Sequence, residues 1–264
     1  MEQLLQEVER LAKDYYLKYI SEETSLIIAD ILEDIVIQQG IEVIYLKLPK
    51  LDEESRSLNG MFLKHINPKV QPKIVINQLD NARTQNFTLA HEWFHYILES
   101  EDLKKYEIRI ESNEVLERAG DYFAATILMN KDAFNLYFEI IKSQVIEKKI
   151  FKLADIFKVP YLSVVRRIKE LGLWDISAYE EMTEEQLMNL RVSVMDDSIL
   201  DMPPKRKEFE QFQEKLITRE AEGTLSSQEV AKILANINPD LAEEYYEKSI
   251  ENQDINALWD ELED

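Results

Sequence analysis

The residues with the clearest chemistry are His91 and His95, in the pentapeptide His91-Glu92-Trp93-Phe94-His95. Four residues of α-helix bring a side chain back to nearly the same face, one turn along. Both imidazoles can then reach one metal ion. Glu92, beside the first, can take a proton from a water bound there. This is the H-E-x-x-H arrangement of zinc hydrolases. The chain holds only three histidines, so two at this spacing make a sharp signal. The chemistry is metal-assisted hydrolysis, with zinc as the cofactor.

A catalytic zinc takes three protein ligands and keeps a fourth position open. No histidine follows His95, so the third ligand is a carboxylate, or else His65 from upstream. Glu117 and Asp121 are four apart in Leu116-Glu117-Arg118-Ala119-Gly120-Asp121-Tyr122-Phe123-Ala124-Ala125. A helix presents both on one face. Glu117 is read as the metal ligand. Asp121 is read as acceptor for the outer N–H of a ligand histidine, fixing its tautomer and raising its basicity. Glu114 is the main rival to Glu117; Glu101 and Glu111 are weaker ones. The small residues Ala119, Gly120, Ala124 and Ala125 let two helices pack closely. Leu98 and Glu101 stand where a metzincin needs glycine and a histidine or aspartate, so that pattern does not fit.

The flanks predict the elements that hold these groups. Ile74-Val75-Ile76-Asn77 reads as a short buried strand. A polar turn follows, with Thr84 as helix N-cap. Phe87, Leu89, Ala90, Phe94 and Leu98 then recur at helical spacing. Residues 1–39 predict two helices, with Ser21 capping the second and Gly40 ending it. Strands are expected at 41–46 and 58–63. Tyr96 and Tyr122 are candidate donors to a developing oxyanion. An extended substrate is expected along the strand containing Gly60, by β-addition. His65, which follows that strand, reads as a surface histidine or a transition-state contact.

The strand Ile74–Asn77, the run Phe87-Thr88-Leu89-Ala90-His91-Glu92-x-x-His95 and the run Glu117-x-x-x-Asp121-Tyr122-Phe123-Ala124-Ala125-x-x-Leu128-Met129 together resemble the ImmA/IrrE metallopeptidases. The resemblance spans roughly residues 20–175. It implies zinc on His91, His95 and Glu117, with Glu92 as general base. It also implies a protein substrate, a helix-turn-helix repressor whose cleavage releases phage, mobile-element or stress genes. Asn130 stands where the family commonly has proline.

The chain has 264 residues, 45% of them hydrophobic, enough for a substantial core. Five glycines and seven prolines are few and point to helices. The expected fold is α+β and mostly helical. It has a zincin-like core with a small mixed or antiparallel sheet packed on the H-E-x-x-H helix. A helix-turn-helix-like unit and a helical C-terminal domain follow. The expected division is a peptidase domain at 1–141, the helix-turn-helix-like unit at 142–175, a linker at 176–204 and an acidic helical region at 205–264.

The absence of cysteine excludes disulfides and thiolate zinc sites, and fits the cytoplasm. No apolar run approaches the roughly 18 residues of a membrane span, and residues 1–20 lack the layout of a signal peptide. The net charge of −21 opposes nucleic-acid binding by the whole chain. Acidity concentrates from Trp174 onward, with 24 acidic against 8 basic residues. Residues 142–173 are basic, with eight Lys/Arg against three Asp/Glu. Arg166, Arg167 and Lys169 would meet DNA if this unit read it; the competing reading is a small helical unit packed on the core. The second functional class is a metal-stapled binding protein that captures a partner through the acidic C-terminal region. The stretch 254–264 reads as a mobile tail or a docking peptide.

Overall fold

The computed structural model describes residues 2–19, 27–48, 58–67, 69–99, 105–204, 207–235, 237–238 and 241–250. Ser21, Glu101 and the 254–264 stretch lie outside them. Two compact units are present, Met1–Pro203 and Pro204–Asp264.

The first unit is α+β. Helices α1 (Glu2–Tyr19) and α2 (Leu32–Gln38) precede strands β1 (Glu42–Leu46), β2 (Gly60–Leu63) and β3 (Lys73–Asn77). The sheet order is β1-β3-β2. β3 runs parallel to β1 and antiparallel to β2, which leaves β2 on an edge. The long helices α3 (Ala82–Leu98) and α4 (Asn113–Leu128) follow. Next come α5 (Lys131–Ile140), α6 (Ile146–Phe157), α7 (Tyr161–Glu170), the single turn α8 (Ser177–Glu180) and α9 (Glu184–Val194). Among the described residues no helix is long and apolar enough to cross a membrane.

The core forms where α3 meets the sheet and α4. Ile74, Val75 and Ile76 on β3 and Leu89, Ala90, Trp93 and Phe94 on α3 are all buried. Trp93 is fully buried, with edge contacts to Tyr15 of α1 and Phe123 of α4. It anchors the face of α3 opposite the histidines. Gly60 sits where β2 crosses α3. A Cβ there would lie 2.5 Å from the Thr88 methyl and 2.7 Å from the Val75 carbonyl oxygen. Only glycine lets this strand come so close.

The N-cap of α3 is Asn81, not Thr84. The Asn81 side chain accepts the Thr84 backbone N–H at 2.9 Å, so the helix begins at Ala82. Asparagine in extended backbone is the stronger cap, and Thr84 is already inside the first turn. Gln85 donates to the Gln78 and Asp80 carbonyls, closing the β3–α3 turn. Asn77, 1% exposed, bonds the backbone of Leu48, Leu58 and Leu79, tying three loop ends to the tip of β3.

Arg83, in the first turn of α3, is fully buried in a charged cluster. It donates to Asp201 (2.7 Å), the Ala154 carbonyl (2.6 Å), Ser198 (3.0 Å) and Asp155. Arg191 of α9 forms a bidentate pair with Asp155 at 2.9 and 3.0 Å. Tyr161 donates to Asp201, and the Glu184 carboxylate caps α7 by accepting the Tyr161 and Leu162 N–H groups. The start of α3 is thereby fixed to α6, α7, α9 and residues 198–201.

Helices α6 and α7 are joined by Lys158, Val159 and Pro160. Lys158 adopts the left-handed conformation (φ 53°) that this turn usually gives to glycine. Its carbonyl accepts from Asn86 and its ammonium pairs with Asp30, which holds the strained residue in place. Arg167 is buried, donating to the Met129 carbonyl, and Lys169 pairs with Glu180.

The second unit contains α10 (Lys207–Ala221) and α11 (Ser227–Leu234), and residues 241–250 are helical. Gly223 (φ 71°) ends α10, and a Ser226/Glu229 capping box opens α11. Leu216, Val230, Leu234 and Ala242 form its core.

Two outcomes follow. Arg83→Met removes the closest counter-charge of Asp201 and one of the two of Asp155, and lowers the unfolding free energy by about 3 kcal/mol, read by urea denaturation. Asp80, in the β3–α3 turn, has a buried Oδ2 without a hydrogen-bond partner, and burial pushes its pKa up to about 6 from 3.8. The fold therefore holds this proton more tightly than the unfolded chain does. Its contribution is full below the unfolded pKa and is lost as pH rises through about 6. Asp80→Asn should raise the melting temperature at pH 7.5 and change it little at pH 4.

Candidate metal centre

α3 and α4 pack side by side and bring three ligating groups together. His91 Nε2 and His95 Nε2 are 3.1 Å apart. Glu117 Oε2 is 3.3 Å from His91 Nε2, and Oε1 is 3.8 Å from His95 Nε2. Two neutral imidazoles facing each other with their lone pairs repel unless a cation or proton lies between them. Ligands each about 2 Å from one zinc ion stand roughly 3–4 Å from each other. The spacing and the N/N/O donor set therefore fit zinc or a similar divalent ion. The imidazoles are largely covered, at 12% and 17% exposed, while the Glu117 side chain is 62% exposed. The centre opens to solvent on the Glu117 side.

Asp121, one turn beyond Glu117, accepts from His91 Nδ1 at 3.0 Å. This leaves Nε2 free to ligate. Gly120 makes the arrangement possible. A Cβ at that position would lie 2.8–3.1 Å from the His91 ring. α4 touches the imidazole face directly, and Glu117 and Asp121 reach it from either side.

Glu92 points away from the core, toward β2. It is 9% exposed and takes a hydrogen bond from the Phe62 backbone. Burial, helped by Glu117, raises its pKa above the ordinary glutamate value against the opposing pull of His91. Burial works against charge on His91, but the Asp121 hydrogen bond and the Glu92, Asp121 and Glu117 carboxylates outweigh it and raise its pKa. His95 moves down, through burial and then the neighbouring His91. A neutral His95 is ready to ligate.

Other residues singled out in the sequence lie elsewhere. His65 is exposed on the loop after β2, where Nδ1 accepts the Asn67 N–H; with Phe62 and Tyr96 it lines a separate small cavity. Glu114 and Glu111 are exposed and are not part of the ligand cluster. The Tyr96 hydroxyl lies 3.4 Å from the Gln39 carbonyl, and that of Tyr122 lies 3.5 Å from Glu9, so neither is aimed at the centre. Asn130 caps α5, accepting from Asp132 and Ala133. The Phe62 contact to Glu92 and the Arg83 cluster were not predicted. Arg83 carries a faint signal: it is the one Lys or Arg in the helix, and it sits inside the first turn.

Paired imidazoles on one helix, a carboxylate from the next and a buried glutamate between them and an edge strand define a metallopeptidase-type centre. Residues 37–169 match the IrrE N-terminal-like domain of the Peptidase M78 family, and the chain belongs to that ImmA/IrrE family. No curated protein matches it.

Gly120→Ala should weaken zinc binding at least tenfold, by displacing the His91 ring from its Asp121 partner. Competition with a chromophoric chelator measures the affinity, and an unchanged far-ultraviolet dichroism spectrum shows that the helices remain.

Proposed function

We propose that this protein is a zinc-dependent endopeptidase that cleaves a specific protein, a helix-turn-helix transcriptional repressor in the cytoplasm, and so switches on genes the repressor silences. Membership of a peptidase family and the His91/His95/Glu117 cluster support the peptidase part. The repressor rests on the resemblance to ImmA/IrrE proteins. The observation that carries the reading is Glu92. A metal that only stapled two helices would need the three ligands and nothing more. A buried carboxylate beside them, with its pKa raised above the ordinary glutamate value, is costly to the fold and useful to a proton transfer.

The mechanism follows from the positions of these groups. Zinc, when held by His91, His95 and Glu117, supplies a water acidified to near neutral pH and polarises a carbonyl. Glu92 takes the proton from the attacking water and delivers it to the leaving amine. The Phe62 backbone holds the Glu92 carboxylate in place beside His91. β2 is an edge strand, so an extended substrate can add to it through backbone hydrogen bonds. The Gly60 crossing keeps that edge close against α3. Asp121 holds His91 in one tautomer throughout.

Purified protein should contain about one zinc per chain by elemental analysis. Co-expressed with a repressor encoded beside it, the wild type should cut that repressor, and chelation should stop the cut. Glu92→Gln should keep the zinc and lose at least about 10²-fold in rate. Undiminished cleavage by that variant would rule out Glu92 as the base. Persistent failure of the zinc-loaded wild type to cut any neighbouring repressor would favour the binding-protein reading.

A further inference from the structure

A cavity of about 550 Å³ opens beside the metal centre, between α1, α3, α4 and α7. Asp121, the acceptor for His91, is part of its wall. Arg118, the residue after Glu117, is another. Arg166 and Glu170 face them from α7, and Phe87 and Ala125 give the cavity apolar surface.

The charges on this wall are unequal in their satisfaction. Asp121 is engaged by His91, and Glu170 accepts from Arg167 at 3.1 Å. Arg118 and Arg166 make no ion pair or hydrogen bond among the described residues. In a chain with 52 acidic and 31 basic residues, two arginines left without carboxylates at one cavity are conspicuous. Both are exposed, so the wall presents two free guanidinium groups suited to a carboxylate. The apolar surface suits a short aliphatic stem.

We propose that this cavity is the subsite for an acidic side chain of the substrate polypeptide, close to the bond that is cut, with Arg118 and Arg166 as the specificity-determining residues. The inference rests on the peptidase reading given above. The occupant is part of a polypeptide rather than a free anion because the cavity is continuous with the ligand-bearing turn of α4. Arg118 and Asp121, which line it, lie in the same turns of α4 as Glu117, so the cavity adjoins the residues a cleaved chain would cross.

The test uses two series of nine-residue alanine-based peptides. One carries a single glutamate moved through every position, and the other carries glutamine in its place. Binding to the zinc-loaded, full-length Glu92→Gln protein is read by fluorescence anisotropy. At one position the glutamate peptide should bind about tenfold more tightly than its glutamine twin. The added pair Arg118→Gln and Arg166→Gln should abolish that difference and leave the zinc content unchanged. Equal behaviour of every twin pair, or no binding by any, overturns the subsite. So does displacement by free succinate with no glutamate preference, which would assign the cavity to a small dicarboxylate. The preferred peptide is then given to the wild-type protein. Binding without cleavage would leave the subsite standing and sink the peptidase reading.

Discussion

The site depends on how closely α4 can approach α3. His91 lies on α3 and its partners Glu117 and Asp121 lie on α4, so the distance between the helices decides whether they meet. Gly120 removes the one side-chain atom that would intervene. Beside that close approach, Trp93 and Phe94 meet Phe123, which fills the rest of the interface with aromatic bulk. A tight contact at His91 and a filled one next to it leave α3 little freedom to roll. Rigid placement of this kind is what a metal site requires of its scaffold.

Electrostatics then divides the labour among similar groups. His91 and His95 are one turn apart, yet their proton affinities move in opposite directions. One is bonded to Asp121, while the other is covered and faces its neighbour. Glu92 and Glu117 differ in the same way. The buried one resists ionisation and the exposed one stays solvated. Environment, more than residue type, sets these paired groups apart.

Much of this was legible in the sequence because it is local. The spacing of His91 and His95, the Glu117/Asp121 pair and the small residues of α4 are all consequences of helical periodicity. Strand β3 showed as an apolar run bounded by polar turns. What stayed hidden joins residues far apart in the chain. Arg83 meets Asp155 and Asp201, more than a hundred positions later in one case, and periodicity carries no record of that. The Phe62 contact to Glu92 depends on β2 lying on the edge beside α3, a matter of strand order. The cap of α3 was misplaced by three residues, since asparagine, arginine and threonine cluster there and only the backbone conformation distinguishes the capping one.

The Arg83 cluster has a consequence for where this peptidase ends. The segment shared with relatives stops at residue 169. Charge neutralisation inside the molecule does not stop there, because Arg191, Ser198 and Asp201 all lie beyond it. A piece trimmed to the shared boundary would keep a guanidinium sealed at the base of the helix that carries His91 and His95 and discard half of its counterions. By this measure the autonomous body reaches at least Asp201, so recognisable ancestry and physical self-sufficiency have different borders in this protein.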